Sequence, residues 1–315
     1  MNDFVSISRR ILSDCLGAKP GEKCLVITDD SEEELASYLY KAGKELGLVS
    51  MLFKMPLSSR SGEEPPMAVA EAMKNVDVAI CITQNSLTHT KAKEEAVKVG
   101  TRIATMPGIT KDMFLEGAIT ADYAEVERLT KRIASILTNG KHILIEKDGH
   151  RLEMSIDERL GIESTGRYLT KGESGNLPSG EAYIAPVEGS SQGSILADGS
   201  IVGLGKLESP ILLRIESGLL IDATGERAEE WLKILGDSEA ARNVAELGIG
   251  TNPNARLTGN ILEDEKILHT IHVAFGSNAT FGGKVSAGIH LDAVVLSPTV
   301  FIDDKLIMDK GKLLL

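Results

Sequence analysis

The chain has 315 residues, of which 42% are hydrophobic and 25% are charged, and its formal net charge at pH 7 is −12. These proportions are typical of a globular protein with a sizeable core, and the acidic balance argues against affinity for nucleic acid or for an anionic membrane surface. No stretch approaches the roughly 18 consecutive apolar residues of a membrane-spanning helix, so we expect no membrane partner.

Strand and helix patterns alternate from the start of the chain to Gly140. Helices are predicted over residues 1–17 and at SEEELASYLYKAGKELG, MAVAEAMKNV, KAKEEAVKVG and YAEVERLTKRIASILTNG. Apolar strands are predicted at KCLVITDD, LVSMLFKM, VDVAICITQ and TRIATMPG. This alternation is typical of a parallel sheet covered by helices. We therefore predict an N-terminal α/β domain over residues 1–140.

The pattern changes after residue 140. HILIEKDGHRLEMSI predicts a hairpin that turns at Lys147, Asp148 and Gly149, and short β-like runs separated by glycine-rich turns continue to the end. Only ERAEEWLKILGDSEAARNVAE and LEDEKILHT have helical patterns. We predict a β-rich α+β domain over residues 141–315, which carries the metal site described below.

The three cysteines, Cys15, Cys24 and Cys81, are scattered through the N-terminal third. An odd, scattered set argues against a disulfide framework and for a reducing compartment, so we expect a cytoplasmic protein. The chain has no phosphate-binding P-loop, and no GxGxxG follows the first predicted strand, which argues against a dinucleotide cofactor.

The segment SLTHT follows the third predicted strand at its carboxyl end, where the ligand crevices of α/β sheets open. Its polar residues Ser86, His89 and Thr90 are therefore predicted to bind substrate. The alternative is a loop that caps the next helix, because serine and threonine are good N-caps.

Several polar residues stand in apolar runs of the C-terminal half. His290 and Asp292 lie two apart in the predicted strand SAGIHLDAVVL, so both point to the same face. Burying an imidazole and a carboxylate together is costly unless another group satisfies them. His272 in HTIHVAFG and Glu246 in NVAELGIGTN also stand in apolar runs, and Glu181 in NLPSGEAYIAPVEG lies between a glycine-rich turn and an apolar strand. Carboxylates and imidazoles without thiolates suit zinc, cobalt, manganese or ferrous iron.

These five residues leave three interpretations open. Five ligands with several carboxylates can hold two metal ions, which together activate water for hydrolysis. An HxD pair with one distant histidine is also the pattern of a mononuclear non-haem iron centre. In the third interpretation the protein is a binding or structural protein without a functional metal, and His290 and Asp292 hydrogen-bond each other and the backbone.

Most of the chain resembles the thermophilic metalloaminopeptidase family of the aminopeptidase T and S type. The resemblance is carried by NLPSGEAYIAPVEGS, AELGIGTNP, EDEKILHTIHVAFG and IHLD, and in the N-terminal half by KPGEKCLVI and SLTHTKAKEEAVKVGTRIATMPGIT. It implies a two-domain, homodimeric exopeptidase with two divalent metals. The family's metal ligands fall on five positions of this chain: Glu181, Glu246, His272, His290 and Asp292.

The resemblance extends to a branch with a different activity, the ferrous-iron dihydroxypyridine dioxygenase. Residues matching His272, His290 and Asp292 would hold its iron. One departure favours this branch: the peptidases carry a tyrosine shortly after the histidine equivalent to His272, and this chain has no tyrosine after Tyr183.

The leading prediction is a leucyl aminopeptidase-like hydrolase that releases N-terminal residues from short peptides. It would use two zinc, cobalt or manganese ions, and Glu181 would carry the proton to the leaving amine. The alternative is a mononuclear Fe(II) dioxygenase that cleaves a hydroxylated aromatic or pyridine ring.

Overall fold

The computed structural model describes residues 2–315. Contacts between residues group the chain into two compact units, one formed by Met1–Ala124 and Gly166–Ser179 and the other by Glu125–Thr165 and Gly180–Leu315. The predicted division at residue 140 stays a prediction, since the grouping of contacts cuts the chain at other places and makes both units discontinuous.

The first unit contains a five-stranded sheet in which all neighbouring strands are parallel. Its strand order is β2-β1-β3-β4-β8, with β1 Lys23–Thr28, β2 Val49–Lys54, β3 Val78–Ile82, β4 Arg102–Thr105 and β8 Ser174–Asn176. The helices are α1 Asn2–Arg10, α2 Glu33–Glu45, α3 Met67–Met73, α4 Lys91–Lys98 and α5 Lys111–Leu115, with a π-helical turn at Ile11–Cys15 and a 3₁₀ turn at Gly117–Thr120. The predicted parallel α/β architecture is confirmed.

Helix α6 spans Tyr123–Asn139 and leads into an eight-stranded antiparallel sheet of the second unit, in the order β14-β13-β10-β6-β5-β18-β19-β20. Its strands are β5 His142–Lys147, β6 His150–Ser155, β10 Gln192–Ala197, β13 Ile211–Glu216, β14 Leu219–Thr224, β18 Thr299–Ile302, β19 Lys305–Asp309 and β20 Lys312–Leu313. The predicted hairpin is present: β5 pairs with β6, and both turn residues, Asp148 and Gly149, have positive φ, as a two-residue type I′ turn requires.

The second unit also contains a seven-stranded antiparallel sheet, in the order β12-β11-β17-β16-β15-β9-β7. Its strands are β7 Ile162–Ser164, β9 Glu181–Ile184, β11 Ser200–Ile201, β12 Gly205–Lys206, β15 Val244–Gly250, β16 Thr270–Gly276 and β17 His290–Leu296. Three short helices complete this unit: α7 Ala228–Leu235, α8 Glu239–Arg242 and α9 Ile261–Asp264.

One contiguous core of the second unit draws side chains from both sheets and from α6 and α7, including Ile143, Trp231 and Phe275. The rings of Trp231 and Phe275 meet edge to face at 5.7 Å between centroids. Along β16 and β17, at the centre of the seven-stranded sheet, every second residue enters this core. The intervening residues lie on the opposite face, which is where the predicted metal ligands are found.

The three cysteines of the first unit are free and buried, and burial raises the pKa of each thiol to about 12. Within residues 2–315, no helix combines the length and apolar character needed to cross a membrane.

Candidate metal centre

Four adjacent strands of the seven-stranded sheet place the predicted ligands on one face. On β16, Ile271, Val273 and Phe275 enter the core, so His272 points the other way. On β17 the core residues are Leu291, Ala293 and Val295, and on β9 they are Ala182 and Ile184. His290, Asp292 and Glu181 therefore share the face of His272.

A β-bulge brings Glu246 to the same face. Val244 pairs with Phe275 and Glu246 pairs with Ala274, so Ala245 is the additional residue between the two pairs. Without the bulge, strict alternation would direct Val244 and Glu246 to the same face. Because the bulge shifts the phase by one residue, Val244 stays in the core while Glu246 faces the ligands.

Small residues separate the functional side chains across the strands. His272 pairs with Gly248, while Ala274 lies between Glu246 and Asp292. A Cβ atom added to Gly248 would lie 2.0 Å from both Cε1 and Nε2 of His272. Gly248 therefore provides the space in which the imidazole of His272 lies.

The side chains meet in a tight cluster around the two imidazoles. His272 Nε2 lies 3.2 Å from Glu246 Oε1 and 3.4 Å from Glu181 Oε2. His290 Nε2 lies 3.4 Å from Glu246 Oε2 and 3.5 Å from Asp292 Oδ1. Ligand atoms of Glu246, His272 and Asp292 all lie within 4.8 Å of one another. The structure thus brings together all five predicted ligand residues.

A backbone contact orients His290. Its Nδ1 lies 2.9 Å from the carbonyl oxygen of Ser277, to which the Nδ1–H can donate. This hydrogen bond directs Nε2 toward Glu246 and Asp292, where it can bind a metal ion in exchange for its proton. Metal-binding histidines are commonly oriented by such a second hydrogen bond.

The electrostatics of the cluster favour positive charge. Burial opposes the imidazolium form, but the carboxylates around the two rings raise the pKa of His272 to about 9 and that of His290 to about 12. Burial likewise opposes the ionised form of Asp292, but His290 and His272 lower the pKa of this carboxyl to about 2, and the same two histidines lower the pKa of Glu246. A cation at this position replaces protons that the site otherwise holds.

Two further residues of the cluster lie beside the predicted set. The Lys266 ammonium is 1% exposed, lies 2.5 Å from Glu181 Oε1 and also contacts Glu265 Oε1. Burial and the nearby charges of Glu181 and Asp292 raise the pKa of Glu265 to about 8, although the attraction of Lys266 lowers it. Residues 262–270 were predicted to be helical, but α9 ends at Asp264, so Lys266 lies beyond the helix.

The residues present fit a bound divalent metal ion. In the described chain, Glu181 Oε2 and His272 Nδ1 are buried without a hydrogen-bond partner. An unpaired buried carboxylate oxygen is costly. A cation beside Glu181 Oε2 would offset that cost, and it would balance the negative charges of Glu181, Glu246 and Asp292 when the two imidazoles bind as neutral ligands. Imidazole and carboxylate ligands without thiolates suit iron as well as zinc or manganese.

Aromatic side chains lie beside the cluster. The ring of Phe281, in the loop between β16 and β17, meets the His290 ring edge to face at 5.9 Å between centroids. It also meets the Tyr183 ring at 5.4 Å. Together these rings form an aromatic contact surface next to the predicted ligands, which the separate sequence positions of Tyr183 and Phe281 do not reveal.

The predicted substrate-binding residues belong to the first unit. Thr90 is the N-cap of α4: its Oγ1 accepts from Lys93 N at 3.3 Å and donates to Leu87 O at 2.9 Å. The Ser86 hydroxyl lies 2.8 Å from Thr88 Oγ1, and His89 is exposed. Thr90 therefore has the capping role given as the alternative, while substrate binding by Ser86, His89 and Thr90 stays a prediction.

Comparisons with known proteins give a consistent result. Residues 3–315 match the sequence model of the family NicX, 2,5-dihydroxypyridine 5,6-dioxygenase. The 2,5-dihydroxypyridine 5,6-dioxygenase of Pseudomonas putida KT2440 is 24% identical over 264 residues, which cover 78% of this chain and 73% of that protein.

Two solved structures share the fold along nearly the whole chain. The 2,5-dihydroxypyridine dioxygenase from Pseudomonas putida KT2440 superposes with a TM-score of 0.84 at 17% identity, covering 99% of this chain and 96% of that one. Wild-type AmpT from Thermus thermophilus gives a TM-score of 0.74 at 15% identity, covering 100% and 99%. The predicted mixed α/β fold is confirmed by both.

These matches correct the leading functional prediction. The family model and the curated relative both name a dioxygenase, so the prediction of a metallo-exopeptidase, and with it hydrolase or protease activity, is wrong. Zinc, cobalt and manganese, predicted for that activity, have no support from the family. What remains is a group of side chains able to hold a metal ion, and a small-molecule substrate in place of a peptide. The chain belongs to the 2,5-dihydroxypyridine 5,6-dioxygenase family.

Proposed function

We propose that the protein is a mononuclear ferrous dioxygenase that cleaves the ring of a hydroxylated pyridine, with His272, His290 and Asp292 as iron ligands. The observation that carries the proposal is the position of these three side chains on one face of adjacent strands, in a chain of this family. Two imidazoles and one carboxylate form the ligand set of non-haem iron oxygenases, which leaves coordination positions open.

Ferrous iron, when bound, supplies the electron-transfer chemistry through which dioxygen reacts with an organic ring. Both oxygen atoms enter the ring at the bond that is cleaved. The hydroxylated ring supplies the electrons, so no external reductant is needed. The protein's own part is to bind the ring, orient it and take up its hydroxyl proton.

Glu181 is the proton acceptor in this proposal. Lys266 holds Oε1 of Glu181 at 2.5 Å, whereas Oε2 has no hydrogen-bond partner among the described residues. An oxygen of this kind can accept a proton from a ring hydroxyl. Glu246 has a positioning role, since its two carboxylate oxygens lie 3.2 Å from His272 Nε2 and 3.4 Å from His290 Nε2.

The test is oxygen uptake by anaerobically purified protein loaded with ferrous iron. With 2,5-dihydroxypyridine we expect about one iron per chain, one dioxygen consumed per substrate, and both atoms of labelled dioxygen in the ring-opened product. A pyridine with a single hydroxyl group is the matched control. Iron-loaded protein that consumes no oxygen with any dihydroxypyridine would contradict the proposal.

The aromatic surface predicts a separate effect on substrate affinity. Replacing Phe281 with alanine removes the ring beside His290, and we expect KM for the pyridine to rise roughly 2- to 10-fold, as loss of one aromatic contact implies. The iron content and kcat should change little. Phe281→Leu retains apolar bulk without the ring, so an increase in KM for both variants supports ring-to-ring contact. An unchanged KM in Phe281→Ala would show that this surface does not bind the substrate.

A further inference from the structure

A second group of potential ligands adjoins the first. Glu181, Glu265 and His272 each offer a ligand atom, and these atoms all lie within 4.8 Å of one another. His272 belongs to both groups. Two adjoining ligand groups have the layout of a two-metal centre, in which two ions lie a few ångströms apart.

An ammonium group already lies in the second group. Lys266 Nζ contacts both of its carboxylates, at 2.5 Å from Glu181 Oε1 and directly against Glu265 Oε1. The side chain of Lys266 is 1% exposed, against 8% for Glu181 and 14% for Glu265. A lysine is almost never buried so completely unless it is paired, and here both partners belong to the potential metal site.

The backbone fixes this lysine in place. Lys266 N donates to Glu263 O at 3.0 Å, and Lys266 O accepts from Asn252 N at 2.9 Å. The segment also lies directly against the end of β15, where a Cβ atom on Gly250 would come within 2.0 Å of the Ile267 carbonyl oxygen. Only a glycine allows this close approach. The end of β15 and the turn after α9 therefore hold the ammonium group of Lys266 next to Glu181.

We infer that Lys266 takes the place of a second divalent cation and so restricts the centre to one metal ion. The positive charge of Lys266 balances the negative charges of Glu181 and Glu265. A second ion in the same position would be excluded by the volume of the ammonium group and repelled by its charge. The inference rests on the proposed metal binding by His272, His290 and Asp292. A single ion with three protein ligands keeps positions open for substrate and dioxygen, whereas a bridged pair of ions suits hydrolysis.

The test counts manganese ions bound per chain after equilibration with excess manganese and removal of the unbound ion. We expect one ion in the natural chain and two in Lys266→Met, with a second binding event in calorimetry. Lys266→Gln, which retains a hydrogen-bond donor without the charge, is the second variant and should also bind two. Lys147→Met is the matched control, because Lys147 also bridges two carboxylates, at 3.3 Å from Asp148 and 2.9 Å from Asp198. It should bind one ion.

The outcomes separate this inference from the proposed function. A natural chain that binds no metal contradicts the proposed function. One ion in the natural chain and one in both Lys266 variants contradicts the role of Lys266 alone, and two ions in the natural chain contradict both. Failure of both variants to fold even in manganese-supplemented cultures also overturns the role of Lys266, because a site ready for a second ion would be rescued by that ion.

Discussion

Replacing His272 with alanine is expected to abolish iron binding and oxygen uptake together. His272 is fully buried, and its Nε2 lies within 3.4 Å of both Glu181 and Glu246. Removing a residue that only hydrogen-bonds a metal ligand lowers metal affinity by roughly 10- to 100-fold. Removing a ligand itself should therefore lower the affinity for iron by more than roughly 100-fold. Iron titration of the anaerobic protein measures the affinity, and an oxygen electrode measures the activity.

His150→Ala is the matched control for this variant. His150 lies on β6 of the other sheet in the same unit, where its Nδ1 contacts Ser194 Oγ at 3.1 Å. This change should leave iron content and turnover close to those of the natural chain. If His272→Ala binds iron as tightly as the His150 variant, His272 is not a ligand and the proposed centre is wrong.

Replacing Gly248 with alanine is expected to damage the centre without removing any functional group. The new methyl group would lie 2.0 Å from the imidazole of His272, a fully buried ring that is in contact with Glu181 and Glu246. Overpacking of a buried site lowers the free energy of unfolding by about 1–3 kcal/mol. For a contact this short we expect a loss at the upper end of that range or above it. Denaturant unfolding measures the loss of stability. Iron titration measures the loss of metal affinity that follows if the ring is displaced.

A double variant isolates the cause of this effect. In Gly248→Ala combined with His272→Ala, the methyl group occupies space that the missing ring leaves. We therefore expect the alanine at position 248 to cost at least about 1 kcal/mol less in this background than in the natural chain, a coupling typical of residues in contact. Equal costs in both backgrounds would mean that the strain arises elsewhere along β15.

The candidate metal ligands could be identified in the sequence because burying polar side chains among apolar residues costs free energy. Glu246, His272 and Asp292 stand in apolar runs of the sequence, and such positions require a partner or an ion. The structure brings these residues together on one sheet face. For His290 and Asp292, alternation along a single strand was sufficient to predict a shared face.

The long-range arrangement was not accessible to the same reasoning. The bulge at Ala245 depends on how β15 pairs with β16, and a single sequence does not reveal which strands pair or in what register. Without the bulge, Glu246 would point into the core. Lys266 was missed because LEDEKILHT has a helical pattern, whereas the chain leaves the helix at Asp264 and turns the ammonium inward.

The activity was predicted wrongly for a chemical reason. Carboxylate and imidazole side chains bind several divalent metals, and the same residues serve hydrolysis with two ions or oxygen chemistry with one. The two glutamates, which have no place in a three-ligand iron centre, favoured the peptidase. In the structure Glu181 is paired with Lys266, so its presence does not require a second ion.

The residues on the two faces of strands β9, β15, β16 and β17 have different roles. One set packs into the core and the other set lines the candidate centre. A substitution in the lining set therefore alters the chemistry of the candidate centre and leaves the side chains that pack the core in place. The same fold is found in AmpT, at a TM-score of 0.74 and 15% identity, and in a dihydroxypyridine dioxygenase, at 0.84 and 17% identity, so it forms from very different sequences.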